Sequence, residues 1–218
     1  MNDSIFYKIS IHQDFDISED ESELKYISDY TGEILEENFE NDTETVIGKV
    51  HFKLLLLDLA LFEGFNLKIL FDHSASLDYI MTSIIDLDYY ELRQEIIEFC
   101  NLEIFNGDVC VIERIEIIDG YRGKGIGKMV VQGIVDRFYQ SCGLFVAHVF
   151  PLQFESSSHA FEDWQERLNY KKLEEDEEKA FYQLKAFYQK AGFGHVDGYD
   201  DLMFYSAARR LTRQKPIN

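Results

Sequence analysis

The sequence predicts a single α/β domain of the α+β kind, with a central sheet flanked by helices. Three observations carry this. At 218 residues the chain is long enough for one sizeable core and does not demand two domains. Apolar residues make up 46% of it and aromatics 15%, far above what a solvating or disordered chain holds. Finally, β-type runs alternate with helix-period segments, punctuated by only 2 prolines and 13 glycines, so long linkers are not expected. Residues 1–218 are read as one domain: an acidic N-terminal part (1–101), a motif-bearing part (102–208) and a basic tail (209–218).

Ile5 to Ile11 nearly alternates apolar and polar residues, as an edge strand does. Asp14 to Glu44 is dense in Asp and Glu, and its apolar positions Leu24, Ile27, Ile34, Leu35 and Phe39 are spaced as on one or two short amphipathic helices. From Val46 to Phe62 the pattern becomes a long β-type run, and Leu54 to Phe62 reads as a strand buried on both faces. Asn66 to Phe71 suggests a further short strand. Ser74 or Ser76 can cap a helix through Tyr79, Ile80, Ile84 and Ile85, and a second helix is expected from Tyr89 through Ile96 to Phe99.

Asn106-Gly107 lies between Leu102–Phe105 and Val109–Ile112, which predicts a hairpin with a type I′ turn. The second strand runs on through Ile115, Ile117 and Ile118 into a glycine-rich segment. After it, Met129, Val130, Ile134, Val135 and Phe138 recur at helical spacing. Leu144 to Phe150 is the next strand, ended by Pro151. Phe161 to Tyr170 reads as a helix, and a stronger one carries Phe181, Leu184, Phe187 and Tyr188 before closing at Gly192. Phe193–Val196 and Leu202–Ala207 are expected to form a last pair of strands.

The net charge of −20 repels a nucleic-acid backbone and argues against such partners, while favouring cationic ones such as amines. Cys100, Cys110 and Cys142 sit in apolar runs without C-x-x-C spacing, as free thiols do in a reducing cytoplasm. No signal peptide is visible, and the longest apolar run is about half of what spans a bilayer, so no membrane association is expected. The six histidines show no paired spacing, and no metal site is expected.

Chemistry concentrates at Tyr121-Arg122-Gly123-Lys124-Gly125-Ile126-Gly127-Lys128. A strand that enters a tight glycine-rich turn and opens a helix gathers unpaired N–H groups and the positive end of the helix dipole at one point. Gly123, Gly125 and Gly127 let the main chain approach a pyrophosphate, and Arg122, Lys124 and Lys128 add charge. A Walker loop is excluded because Arg122 stands five residues before Gly127 and Met129 follows Lys128. The G-x-G-x-G spacing also fails the Rossmann fingerprint.

What remains, Arg122-Gly123-Lys124-Gly125-Ile126-Gly127, resembles the R-x-x-G-x-G signature of the GNAT superfamily of acetyl-CoA-dependent N-acetyltransferases. Phe187-Tyr188-Gln189-Lys190-Ala191-Gly192-Phe193 resembles that family's L-Y-x-x-x-G-F. The resemblance covers Leu102 to Ala207. It implies a mixed, mostly antiparallel sheet whose fourth and fifth strands splay apart for the pantetheine arm of acetyl-CoA. It further implies that the backbone of Ile117, Ile118 and Asp119 binds that arm, and that Arg122 to Lys128 binds the pyrophosphate. Tyr188 would then be the general acid for the departing thiolate. A carboxylate is needed to deprotonate the amine, and Glu113 and Glu116, on the strand before the turn, are the candidates.

Two features depart from the family. The turn near Ala180 lacks the usual Asn, and His159 to Glu178 looks like a helical insertion able to reshape the acceptor site. The expected activity is acetyl transfer from acetyl-CoA to a primary amine of a cationic small molecule or peptide, without a metal. An acyl-CoA-binding or sensory protein of the same fold is the alternative. A transferase acting on charged tRNA is a third reading, against which the acidic charge argues. The sequence leaves the oligomeric state open, a homodimer included.

Overall fold

The structure, a computed structural model, describes residues 5–13, 23–100, 106–155 and 162–208. Its main sheet has six strands: β1 (Ile5–Gln13), β2 (Ile27–Asn38), β3 (Thr43–Leu55), β6 (Val109–Ile117), β7 (Leu144–His148) and β8 (Leu202–Ser206). They lie side by side in that order. Every pairing is antiparallel except β6 with β7, which is parallel. A separate two-stranded ribbon joins β4 (Ile85–Asp86) to β5 (Glu91–Leu92).

Helices cover both faces of the sheet. On one lie α1 (Leu57–Phe62), α2 (Leu67–Phe71), α3 (Ala75–Ile84) and α4 (Gln94–Cys100); on the other lie α5 (Ile126–Phe138) and α7 (Glu177–Ala191). Val109, Val111, Leu144, Val146 and Phe204 point to the first layer, and Cys110, Ile112, Phe145, Ala147 and Met203 to the second. Burial on both faces explains why these strands read as unbroken apolar runs. All three cysteines are thiols buried in these layers. No helix among the described residues is long and apolar enough to cross a membrane.

The acidic segment corrects the sequence reading. Residues 14–22 lie outside the described residues, and Glu23–Lys25 is a single 3-10 turn. Ile27–Asn38, expected as helix, is instead the second strand. Adjacent Ile34 and Leu35 are both buried, opposite a bulge whose extra residue is Ile47 of β3, and the alternation that would have revealed a strand is lost there.

Two further strands turn out to be helices. The run from Leu54 to Phe62 leaves the sheet at Leu56 and becomes α1, burying Leu57 and Ala60 and exposing Phe62. Asn66 to Phe71 forms α2, because the Asn66 side chain accepts from the Lys68 N–H and Leu67, Leu70 and Phe71 then fall on one face. Ser74 caps α3 as expected, accepting from Leu77. The helix expected from Tyr89 starts only at Gln94, since Tyr89 and Tyr90 form the ribbon's turn, with Tyr90 at φ 57°.

The hairpin at Asn106-Gly107 is also overturned. Residues 102–105 lie outside the described residues, but both edges of β6 are occupied by β3 and β7, and neither Asn106 nor Gly107 has a positive φ. Asn106 instead accepts from Asp108 N–H through its side chain, and the Gly107 N–H donates to the Asp58 carboxylate at the start of α1. Of the last expected strand pair, β8 is a strand and Gly194 makes one bridge to Phe204. The tail 209–218 lies outside the described residues.

Asn66→Ala should lower stability by about 1 kcal/mol, the usual cost of losing an N-cap. Urea unfolding checks this; an unchanged midpoint would mean that α2 does not depend on its cap.

Candidate functional site

The fourth and fifth strands of the main sheet part where the site lies. β6 and β7 pair only from Val109–Ile112 to Leu144–Ala147, after which β6 continues to Ile117 alone on that side. The divergence coincides with a bulge: Phe52 faces Ile112 and His51 faces Arg114, leaving Glu113 as the extra residue. An extra residue bends and twists its strand, turning β6 away from β7. A cleft of about 440 Å³ opens between Ile115–Ile117, the chain after β7 and α7.

The glycine-rich turn closes one end of this cleft. Gly123 and Gly125 have φ of 75° and 83°, which side-chain-bearing residues rarely adopt. Gly127 is needed for a different reason: a Cβ there would meet the Phe187 ring at 3.1 Å, so it is the point where α5 and α7 approach. Among the described residues, none of the N–H groups from Gly123 to Lys128 donates to a backbone carbonyl, while Met129 N–H returns to Gly125. A helix start with free N–H groups attracts anions.

Ile117, Arg122, Gly123 and Gly127 line the cleft. Ile126 is 1% exposed and belongs to the core under α5, and Gly125 is the N-cap of that helix. Ile118 N–H donates to Ile47, on the β3 side. Lys124 lies over the Tyr121 ring at 4.4 Å, and Lys128 is exposed.

Arg122 is more committed than its motif suggests. Its Nε donates to the Ile117 carbonyl at 2.8 Å and its Nη2 to the Leu168 carbonyl at 2.5 Å, and Nη1 is buried without a partner. Burial lowers its pKa, against the opposing charge of Asp119. Asp119 in turn accepts from Lys172 at 2.5 Å and from Asn169, and these bonds lower its pKa. The inserted segment, α6 (Glu162–Leu168) with the 3-10 turn Tyr170–Lys172, is thus tied to the loop that bears the motif.

Tyr188 lies in the wall of the cleft and is only 5% exposed. Burial alone pushes its pKa above the ordinary phenol value, so the hydroxyl stays protonated.

The structure separates the two glutamates. Glu113 accepts from Lys53 at 2.5 Å and lies 3.0 Å from His51 Nδ1, while His51 Nε2 lies 2.6 Å from Asp29. Burial would raise the Glu113 pKa, but the bonds from His51 and Lys53 outweigh it and carry it below the usual carboxylate value. With Lys53 buried at 4% exposure, this cluster pins the bulge. Sequence reasoning missed Lys53, which sits in an apolar run and gave no periodic signal.

Glu116, 7% exposed, lines both this cleft and a second cavity of about 510 Å³ on the opposite sheet face, floored by Thr31, Lys49, His51 and Arg114. Its carboxylate accepts from Arg114 at 2.9 Å, from the Trp164 indole at 2.8 Å and from the Tyr170 hydroxyl at 3.4 Å. Trp164 and Tyr170 come from the segment read as an insertion, and the sequence did not single them out. No group of three or more His, Cys, Asp or Glu able to hold a metal occurs among the described residues.

A glycine-rich helix start and an open strand edge thus face one cleft between diverging parallel strands. A model of the acetyltransferase (GNAT) family matches residues 62–162. Over that segment the chain is similar to acetyltransferases of the GNAT family. The match includes β6, the glycine-rich turn and β7, and ends before α7 and Tyr188. No curated protein sequence matches the chain.

Three solved structures are similar to it. They are a KacTA–DNA complex (TM-score 0.42, 13% identity, 95% of this chain and 100% of that one), the Y145F mutant of KacT (0.41, 11%, 94% and 98%) and AtaTR bound with AcCoA (0.40, 11%, 95% and 98%). Likeness of this degree says nothing about the substrate.

The cluster at the bulge predicts a pH window. Burial lowers the His51 pKa, but Glu113 and Asp29 more than restore it, and the net direction is up. Its stabilisation is therefore full below the unfolded value of about 6.5 and is lost as pH rises through the higher folded value. Glu113, with a depressed folded pKa, stabilises above the unfolded value of about 4.3 and loses this as pH falls. The stability difference between the parent and His51→Gln should be largest at about pH 5–6 and shrink above about pH 7. Urea midpoints from pH 4 to 9 read it directly; a pH-independent difference would exclude the charged pair.

Proposed function

We propose that the protein transfers an acetyl group from acetyl-CoA to a primary amine of a cationic small molecule or peptide, by direct attack on the thioester. The observation that carries this is the convergence of three features on one cleft: the glycine-rich turn, the unpaired edge of β6 and the buried hydroxyl of Tyr188. The free N–H groups of Gly123 to Lys128, with the Lys128 ammonium, take the pyrophosphate. The β6 edge at Ile115–Ile117 takes the pantetheine amides, as strand edges take extended chains. Ile118 and Asp119 are engaged by Ile47, Tyr121 and Arg122 through their main chain and do not line the cleft, while Arg122 holds the turn against the insertion.

Tyr188 serves the leaving group. Its burial makes complete proton loss costly, so its first role is a hydrogen bond to sulfur as negative charge develops there, with the proton following. Glu116, at the junction of the two cavities, is held by Arg114, Trp164 and Tyr170 and marks where the acceptor meets the thioester. Glu113 supports the fork through Lys53 and His51. The net charge of −20 favours such an acceptor over a polyanion. The acyltransferase is read as one domain over 1–218, and its three buried thiols fit the cytoplasm.

Calorimetry with acetyl-CoA is the primary test, and absence of binding at millimolar concentration would sink the proposal. Lys128→Glu, at an exposed position, should weaken binding about tenfold, or about 1.4 kcal/mol, without changing stability. Tyr188→Phe should bind acetyl-CoA like the parent and lose about 10²-fold in thiol release with a panel of amines. Equal turnover by the two would remove Tyr188 from the chemistry.

A further inference from the structure

Both glutamates near the thioester are occupied by donors. Glu113 is held by Lys53 and His51, and the lone pairs of Glu116 by Arg114, Trp164 and Tyr170. The other bank of the fork carries a side chain that the sequence did not single out. His148 is the last residue of β7, directly after Ala147, whose pairing with Ile112 is the last contact between β7 and β6. The imidazole points to the helix α3 face, the side of Arg114 and Glu116, with its centroid 5.7 Å from the Tyr79 ring. It also stacks at 6.1 Å on Phe150, which lines the donor cleft.

Its Nε2 lies 3.3 Å from Asp201 Oδ2, and the side chains are 25% and 33% exposed. The same Oδ2 accepts from the Tyr79 hydroxyl at 2.7 Å, which fixes the carboxylate from a second direction and, as the leading cause, pushes the Tyr79 pKa up to about 12. Asp201 is further anchored through its backbone, whose carbonyl accepts from Val149 N–H at 2.7 Å. With Nε2–H directed at Asp201, the lone pair lies on Nδ1. A carboxylate that orients an imidazole is the recurrent way to build a general base.

Building on the proposed acetyl transfer, we propose that His148 is its general base and Asp201 its positioning residue. The neutral imidazole takes a proton from the acceptor ammonium, and the amine nitrogen bonds to the thioester carbon. The C–S bond then breaks, the sulfur, with its electron pair, receives a proton from Tyr188 or water, and the second proton left on the amide nitrogen returns to the group that supplied the one on sulfur. His148 deprotonates the acceptor from the β7 bank.

Two measurements test this on the full chain. In an imidazole NMR spectrum, with the His148 signals identified by their loss in His148→Gln, acetyl-CoA should shift them. Adenosine 3′,5′-bisphosphate, which lacks the pantetheine arm and thioester, should not. Bound acetyl-CoA that leaves these signals unmoved overturns the placement, whereas failure of acetyl-CoA to bind at all defeats the acetyl-transfer reading itself. The second measurement is thiol release from acetyl-CoA with water, spermidine, lysine or tyramine as acceptor. His148→Gln should fall by about 10²-fold or more at unchanged acetyl-CoA affinity, His148→Ala should be partly rescued by added imidazole, and Asp201→Asn should fall less. Parent-like turnover by His148→Gln overturns the proposal, and if no probe amine is turned over by the parent, the NMR result decides it.

Discussion

The rest of the site depends on the interruption of one ladder. Main-chain N–H and C=O groups inside a protein are nearly always paired, so a strand that loses its neighbour halfway along must offer those groups to something else. In this chain β6 loses β7 after Ile112, and the edge from Glu113 onward faces a cleft. Pairing over Val109–Ile112 keeps the two strands in one rigid sheet, and divergence beyond it makes room for a ligand. The bulge at Glu113 sets the position of that change, and the buried Lys53 ammonium holds the bulge in place.

A buried ion cluster at such a position fits a specificity role better than a stabilising one. Desolvating Lys53 and Glu113 costs several kcal/mol per ion before their attraction is counted, and an apolar substitute would commonly be no worse for stability. What an apolar pair could not do is fix which residue of β6 is the extra one. A slip by one residue would send Ile115 and Ile117 to the wrong face and Glu116 into the α5 layer.

Much of the molecule was legible in the sequence because its signals are local. The glycine-rich turn, the start of α5, the cap of α3 and the close of α7 at Gly192 each depend on a few adjacent residues, and each was read correctly. The misreadings share a cause. Ile27–Asn38 is a strand only because β1 and β3 flank it, and burial of the adjacent Ile34 and Leu35 hides the alternation. Leu57–Phe62 and Leu67–Phe71 are helices whose short apolar runs cannot be told from buried strands by periodicity. The chemistry followed the same division. The turn and Tyr188 carry motifs, whereas the roles of Lys53, Trp164 and His148 come from contacts across tens of residues that no spacing rule announces.

The insertion has a mechanical meaning of its own. Its Leu168 carbonyl is bound by Arg122 of the turn, its Lys172 by Asp119, and its Trp164 and Tyr170 by Glu116. One short segment therefore braces the donor cleft and the opposite cavity through separate contacts. Substitutions along 162–173 would be felt as a change in both compartments at once, and their effects would not add to those of substitutions in either wall. Evolution acting on that segment could reshape one compartment only within limits set by its grip on the other.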